Sequence, residues 1–342
     1  MKRMVYRLKA GSLKAMKTWQ EEMPALLPNE VWIAVKAIGL NFADVFAIWG
    51  LYKATPKEAF IPGLEYAGEV IACGDQVQGV RKGDHVMGVT RFGAYASHLS
   101  IDYRYVLPLP SDWTFEAGAS YLVQVLTAYY GLIELGNIQK NDTVLIHSAA
   151  GGVGIWANRI AKQFASFTVG TVGNQAKVAF CKQEGYNEVI VRGKDFRDSL
   201  QQALGERELK IVMECIGGKI LTESFNAMAP MSRLIVYGSA QYATPGNRPN
   251  YIHLIRKYLT RPRIDPQNMT NLNKSVMAFN LIWLFERVEI MHRILGNLEQ
   301  MNLGKPHVGH TFPFPELPEA IRLFQTGKTM GKVVVTLEDS MS

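Results

Sequence analysis

The chain has 342 residues, 48% of them hydrophobic and 20% charged, with a formal net charge of +7. That length calls for two domains, and the composition is that of an ordinary folded protein, neither disordered nor fibrous. No run of 18 apolar residues exists, the N-terminus has no apolar h-region, and the positive surplus comes without a recognition motif, so no membrane span, signal peptide or nucleic-acid partner is expected.

Residues 1–125 read as a mainly β domain. Short strands are expected at 31–38, 66–72, 85–89 and 94–99, separated by turns such as Cys73-Gly74-Asp75 and Arg81-Lys82-Gly83-Asp84. The three cysteines, Cys73, Cys181 and Cys215, are far apart and form no C-x-x-C. Neither a zinc lobe nor a disulfide framework is indicated, and a reducing cytoplasm fits. His85, His98 and His147 lack metal-ligand spacing and read as structural.

From about residue 126 the pattern becomes alternating strands and helices. Strands at 143–148, 167–172, 188–191, 210–214 and 233–238 imply a Rossmann-type doubly wound parallel sheet. The most informative stretch is Thr143–Gly154. An apolar strand runs into Ala149-Ala150-Gly151-Gly152-Val153-Gly154, and a helical pattern of Trp156, Ala157, Ile160, Ala161 and Phe164 follows. Strand, glycine turn and helix form a pyrophosphate site, because helix-start N–H groups point outward and glycine lets the backbone approach. Ala149 stands where the usual first glycine would be.

After the next strand comes Gly173-Asn174-Gln175, with no acid to take a ribose 2′-hydroxyl. Lys177 and Arg192 are close by in sequence. A missing acid beside cations points to a 2′-phosphate, hence NADP(H); the alternative is that both are solvated surface charges. Residues 261–274 read as a polar loop, and 276–284 as one further strand. Helices near 288–301 and 317–326 and a strand at 332–337 close the chain, a tail expected to return to the first domain.

Residues 251–259 place Tyr251, Leu254, Ile255, Tyr258 and Leu259 on one helical face, with Arg248, Arg256, Lys257, Arg261 and Arg263 around it. A basic amphipathic helix can rest on an anionic membrane through 248–263. The commoner alternative is a helix packed on the core, or a lid beside the active site.

Nearly the whole chain resembles the medium-chain dehydrogenase/reductase superfamily. The segments carrying the resemblance are G-L-N-F-A-D-V-F-A-I-W-G-L-Y (39–52), I-P-G-L-E-Y-A-G-E-V (61–70), G-D-H-V (83–86), G-A-Y-A (93–96), L-T-A-Y-Y (126–130), the glycine turn and G-K-V-V-V (331–335). Within the superfamily the chain is similar to the zinc-free quinone oxidoreductases, and more so to the vesicle amine transport protein branch, through L-V-Q-V-L-T-A-Y-Y, the 240–285 region and the K-P-H-V…F-P-F motif at 305–314. The resemblance implies a GroES-like mainly β catalytic domain at 1–125 and 283–342, a Rossmann-type NADP-binding domain at 126–282, and a homodimer. Zinc-dependent members bring a Cys near Asn41 and a His just before Glu65; here Asn41 and Leu64 stand there. They make no ligand set for zinc, so no metal is expected.

Without a Lewis acid, an acceptor that delocalises charge, a quinone or an enone, is the expected substrate. By the resemblance, Asn41 bonds the substrate oxygen or the nicotinamide ribose, and Asp44 stands at a position near the site, unless it merely caps a helix. Tyr52 offers a phenol to a developing oxyanion. Thr127 would lie near the nicotinamide. Ala150, Gly151, Gly152, Val153 and Gly154 would hold the pyrophosphate, and Gly173, Asn174, Lys177 and Arg192 the adenosine ribose. Gly238 and Ser239 end a strand at the ligand edge of the sheet. Phe279 and Asn280 are expected at the carboxamide, and Lys332 within reach of the cofactor.

Overall fold

The computed structural model describes residues 1–338; residues 339–342, the end of the expected 283–342 segment, lie outside the described residues. Six strands form one parallel sheet in the order Glu188–Val191, Phe167–Val172, Thr143–His147, Leu209–Glu214, Met228–Val236 and Ser275–Ala278. The chain winds outward from Thr143–His147 to one edge, then returns to Leu209–Glu214 on the other side. The reversal leaves a crevice at the carboxyl ends of these two central strands, where such sheets bind ligands. Every residue of Thr143–His147 is buried, as expected of a strand covered by helices on both faces.

Helix Gly152–Gln163 starts directly after the turn, with Gly151 as its N-cap. A Cβ on Gly154 would lie 2.6 Å from the Ser148 carbonyl oxygen, so only glycine lets the helix sit this close to the strand.

The second sheet has seven strands. Val308–Pro313, Lys332–Thr336, Glu30–Gly39, Glu65–Cys73, His85–Val89 and Val106–Pro108 follow one another across it, and His98–Asp102 pairs with Glu30–Gly39 off that path. Glu30–Gly39 is its hub, hydrogen-bonded to three other strands. A separate hairpin joins Lys2–Arg7 to Lys17–Glu22. The C-terminal strand pairs antiparallel with residues 37–39. Just before it, the Gly331 N–H donates to the Ala150 carbonyl at 2.8 Å. The tail thus touches the glycine turn as well as the first domain's sheet.

Some elements depart from the sequence reading. The strand expected at 94–99 forms its ladder at His98–Asp102, because Gly93 at φ 107° turns the chain, the Ala94 and Tyr95 N–H groups go to the Gly63 and Pro62 carbonyls, and that of Ala96 goes to Ala94. The loop expected at 261–274 contains helix Pro266–Leu272, started by an Asp265 side chain that accepts from the Gln267 N–H and by Pro266 at its first turn. The strand expected over 276–284 ends at Ala278, and Leu281–Leu284 is a single 3-10 turn. The strand expected at 233–238 starts earlier and ends at Val236, which leaves Gly238 and Ser239 in the loop beyond it. Helix Leu122–Tyr129 continues as a π-helix over Tyr130–Leu135.

Gly39 has the least room of any glycine near the site. A Cβ there would meet the Ala119 carbonyl oxygen at 1.9 Å, Lys332 Cε at 2.8 Å and Glu65 Oε1 at 2.9 Å. Gly39→Ala is expected to lower the unfolding free energy by about 3 kcal/mol, the upper range for overpacking, as read from denaturant unfolding. A loss below about 0.5 kcal/mol would show that the strand shifts freely.

Candidate active site

A cavity of about 590 Å³ lies where the two sheets meet. All the expected site residues line it except Asp44 and Asn174.

One end is built from the parallel sheet. The glycine turn contributes residues 150–154, and the segments just after the next two strands contribute Gly173, Lys177 and Arg192. The two cations do not face open water. Lys177 Nζ donates to the Gly327 and Thr329 carbonyls at 2.6 and 2.7 Å, and burial pulls its pKa down. Arg192 Nη1 donates to the carbonyl and hydroxyl of Thr171 at 3.0 and 2.8 Å. The reading of both as solvated surface charges is therefore corrected: each is held by backbone carbonyls at the cavity wall. Asn174 sits just outside the wall with its Oδ1 buried and unpartnered. Gly238 and Ser239 line the loop after Val236, and Cys215 lies between them and the turn, its Sγ 3.4 Å from Ser148 Oγ.

The middle of the cavity holds a knot of buried polar groups. Lys332 Nζ is paired with Glu65 and donates to Asn41 Oδ1 at 3.0 Å. Asn41 Nδ2 donates to Glu65 Oε1 at 2.9 Å. Gln124 Nε2 donates to Asn41 Oδ1 at 2.7 Å and to Glu65 Oε1 at 3.0 Å. The Val123 N–H reaches Glu65 Oε2 at 3.2 Å. Burial lowers the Lys332 pKa, and the Glu65 carboxylate opposes that shift. Gln124 Oε1 is buried without a partner, and Gln124 packs against the turn, since a Cβ on Gly152 would lie 2.6 Å from its Cγ.

Glu65 and Gln124 were missed as site residues. The signal for Glu65 was a lone acid inside an apolar stretch, L-E-Y-A-G; Gln124 carries no signal of its own. Asp44 is fully buried behind Asn41. Its Oδ2 accepts from the Asn41 N–H at 2.8 Å and from Tyr95 OH at 3.1 Å, so it does act as a helix-start carboxylate. Burial pushes its pKa up to about 7.

The far end is apolar, walled by Leu64, Tyr105, Ile282, Phe285, Met291 and Ile294. Tyr105 and Phe285 stack with centroids 4.1 Å apart. Tyr52 OH donates to Asn280 Oδ1 at 2.7 Å, bridging the two halves, and burial lifts the phenol to about 12. Phe279 packs on Tyr130 and Tyr237 rather than standing free. Thr127 faces the cavity while its hydroxyl donates to the Val123 carbonyl at 2.6 Å.

Among the described residues no group of three or more His, Cys, Asp or Glu side chains is arranged to hold a metal ion. His147 is buried and bonded to Thr171 and Ser224. His98 pairs with Ser97 at 3.0 Å.

Helix Tyr251–Leu259 has no buried residue and contributes nothing to the cavity wall. The expectation of core packing, or of a lid, is corrected. His253, Leu254 and Lys257 turn inward, with His253 Nε2 2.7 Å from the Gln241 carbonyl, while Ile252 is 83% and Leu259 69% exposed.

Comparison with known proteins is consistent with this geometry. The profile of the alcohol dehydrogenase GroES-like domain matches residues 27–111, and that of zinc-binding dehydrogenase matches residues 152–264. The human synaptic vesicle membrane protein VAT-1 homolog is 32% identical over 316 residues, covering 91% of this chain and 80% of that protein. The crystal structure of the human VAT-1 homolog-like protein superposes with a TM-score of 0.84 at 25% identity over 99% of both chains. Quinone oxidoreductase from Thermus thermophilus, also solved with NADPH, superposes with a TM-score of 0.81 at 26% identity, covering 98% of this chain and 100% of that one.

Asp44 supplies a test of the buried electrostatics. It keeps its proton to about pH 7 in the folded chain and ionises near pH 3.9 when unfolded. The folded state binds the extra proton between these values, so its contribution to stability is present near pH 4 and is lost as pH rises to about 7. Asp44→Asn removes that dependence. In urea unfolding at pH 5, 6 and 7, the wild type is expected to lose about 1.4 kcal/mol per pH unit relative to the variant. A constant difference would show an ionised Asp44 throughout.

Proposed function

The chain belongs to the medium-chain dehydrogenase/reductase superfamily, and we propose that it acts there as an NADPH-dependent, zinc-independent reductase of quinones or enones. The reading divides it into a catalytic part, 1–125 with 283–342, and a cofactor part, 126–282, in a cytoplasmic homodimer.

One observation carries the reading. A single cavity, with no Asp or Glu among the described residues that line it, joins a glycine turn, two cations, a knot of amide and ammonium groups, and an apolar chamber. The turn fits a pyrophosphate. Gly152 and Gly154 stand where a Cβ would be 2.6 Å from its neighbours, and the first N–H groups of the helix lack intrahelical partners. Lys177 and Arg192 suit a 2′-phosphate. The orphaned Gln124 Oε1 is an acceptor for a ribose hydroxyl or a carboxamide N–H. Zinc does not fit: Asn41 and Leu64 supply no ligand pair, and the nearest charged groups, Glu65 and Lys332, neutralise each other.

When bound, the nicotinamide supplies hydride. The chain's own residues do the rest. Lys332 is held at a fixed position by the Glu65 carboxylate and Asn41 Oδ1, which leaves its third N–H as a donor that needs no reorganisation as charge develops on a substrate oxygen; both Asn41 amide hydrogens are taken by the Gly39 carbonyl and Glu65. Tyr52 offers an O–H that stays protonated, with a pKa of about 12. The apolar wall excludes water and favours a flat, weakly polar acceptor over a sugar or an acid.

A second reading has its own observation. Helix Tyr251–Leu259 exposes Tyr251, Ile252, Ile255, Tyr258 and Leu259 beside Arg256 and Lys257. Apolar side chains ringed by cations suit the surface of an anionic membrane, so the reductase would work docked on lipid.

The first experiment follows NADPH oxidation with ortho- and para-quinones and enones, with NADH in parallel. Turnover with NADPH is expected; cofactor binding without turnover across the panel would count against the reductase. Lys177→Ala is expected to weaken NADPH binding by about 1.5–3 kcal/mol and NADH much less; equal losses would remove Lys177 from the 2′-phosphate site. Wild type is expected to co-sediment with phosphatidylserine vesicles and Arg256→Glu/Lys257→Glu to stay in solution. Failure of the wild type to sediment ends the membrane reading.

A further inference from the structure

Behind the cation end of the cavity runs a line of polar side chains that the proposed chemistry does not use. Thr171, His147, Ser224 and Glu214 are all fully buried. Arg192 Nη1 lies 2.8 Å from Thr171 Oγ1, Thr171 Oγ1 lies 2.8 Å from His147 Nδ1, and His147 Nε2 lies 3.0 Å from Ser224 Oγ. Ser224 in turn donates to the Ile220 carbonyl at 2.8 Å.

The chemistry of each group fixes the direction of every bond. A guanidinium has only donors, so Thr171 Oγ1 accepts from Arg192. The threonine proton is then free for His147 Nδ1, and in that arrangement Nδ1 is the unprotonated nitrogen. Burial, reinforced by the Arg192 charge, drives the His147 pKa down to about 3, so the ring is neutral and its proton sits on Nε2. That N–H faces Ser224 Oγ, with Glu214 Oε2 at 3.2 Å. Glu214 is anchored from the other side, where its Oε1 accepts from the Ile216 and Gly217 N–H groups. This arrangement gives each group of the line a partner. It leaves Arg192 held on one nitrogen, and the other terminal nitrogen lies beside Gly173, 3.4 Å from the place a Cβ there would occupy.

We propose that Thr171 and His147 are positioning residues that aim the Arg192 guanidinium at the 2′-phosphate of the cofactor, and so set the preference for NADPH over NADH. The assignment rests on the NADPH reading above. An arginine side chain has many rotamers, and an untethered guanidinium loses that freedom when it binds a phosphate. The line removes that loss in advance and touches no part of a cofactor that lacks the 2′-phosphate. It is therefore a device for discrimination rather than for general affinity.

The test compares dissociation constants for NADPH and NADH, by titration calorimetry, in five variants. Thr171→Val keeps the shape and deletes the hydroxyl; NADPH is expected to bind about tenfold more weakly, the loss of one hydrogen bond, and NADH to bind as in the wild type. Thr171→Ser restores the hydroxyl and is expected to restore the ratio. His147→Asn keeps an acceptor near the Nδ1 position and should hold the ratio, whereas His147→Leu should lower it as Thr171→Val does. The His147 pair keeps the question open to measurement if Thr171→Val does not fold. Arg192→Met must lower the ratio by itself. If it does, and Thr171→Val and His147→Leu leave the ratio unchanged or weaken both cofactors equally, the line is merely structural and the proposal falls. If Arg192→Met leaves the ratio unchanged, Arg192 does not read the 2′-phosphate, and the failure lies in that reading.

Discussion

A buried ammonium must be neutralised where it lies, and Lys332, 3% exposed, is the one around which the two halves of this protein are arranged. Its partner Glu65 comes from a different strand, 267 residues away in sequence. Glu65 also accepts from Asn41, Gln124 and the Val123 N–H, so a single carboxylate gathers the start of one helix, the crossing helix and the last strand. The residue before Lys332 bonds the Ala150 carbonyl of the glycine turn. Charge neutralisation in one half is therefore tied, one residue away, to the backbone of the glycine turn in the other. Isolated buried pairs often fail to repay their desolvation. This one is surrounded by further donors, which is the condition under which such a pair becomes a rigid support.

The cavity has two electrical characters. At the turn, backbone N–H groups and two cations face the space, and the cations are kept in place by carbonyls from distant segments. At the other end stand aromatic and aliphatic walls. Between them the knot holds net charge near zero while keeping donors in the site. The space is thus cationic at one end, neutral in the middle and apolar at the other end.

What was legible in the chain was whatever local chemistry decides. Strand, glycine turn and helix at 143–163 follow from periodicity and from the crowding that excludes a Cβ at Gly154. The absent acid after Val172 is equally local. Long-range partnerships were not legible. Gln124 reads as one polar residue in a helix until Asn41 and Glu65 meet it. Lys177 stands out in the sequence as a cation soon after the glycine turn, but its two carbonyl partners come from 150 and 152 residues later. The stripe on helix 251–259 was visible, yet periodicity says only that two faces differ. Leu254 belongs to the inward face, and the stripe's remaining members face solvent. The helix at Pro266–Leu272 was hidden by its polar composition, although Asp265-Pro266 is a sound start signal.

The hydrogen bond between Tyr52 and Asn280 makes the cavity a filter. It spans both halves at 2.7 Å, and both side chains belong to the wall. A guest that parts them takes on the bonding needs of a phenol and an amide at once. A guest with a carbonyl oxygen takes the phenol proton and leaves only the Asn280 oxygen without its donor. A plain hydrocarbon of the same shape leaves both groups unpaired, at a penalty of about 1–3 kcal/mol for each. Apolar walls alone would favour any greasy molecule of the right size; the bridging pair tilts the preference at this position towards those that carry an acceptor.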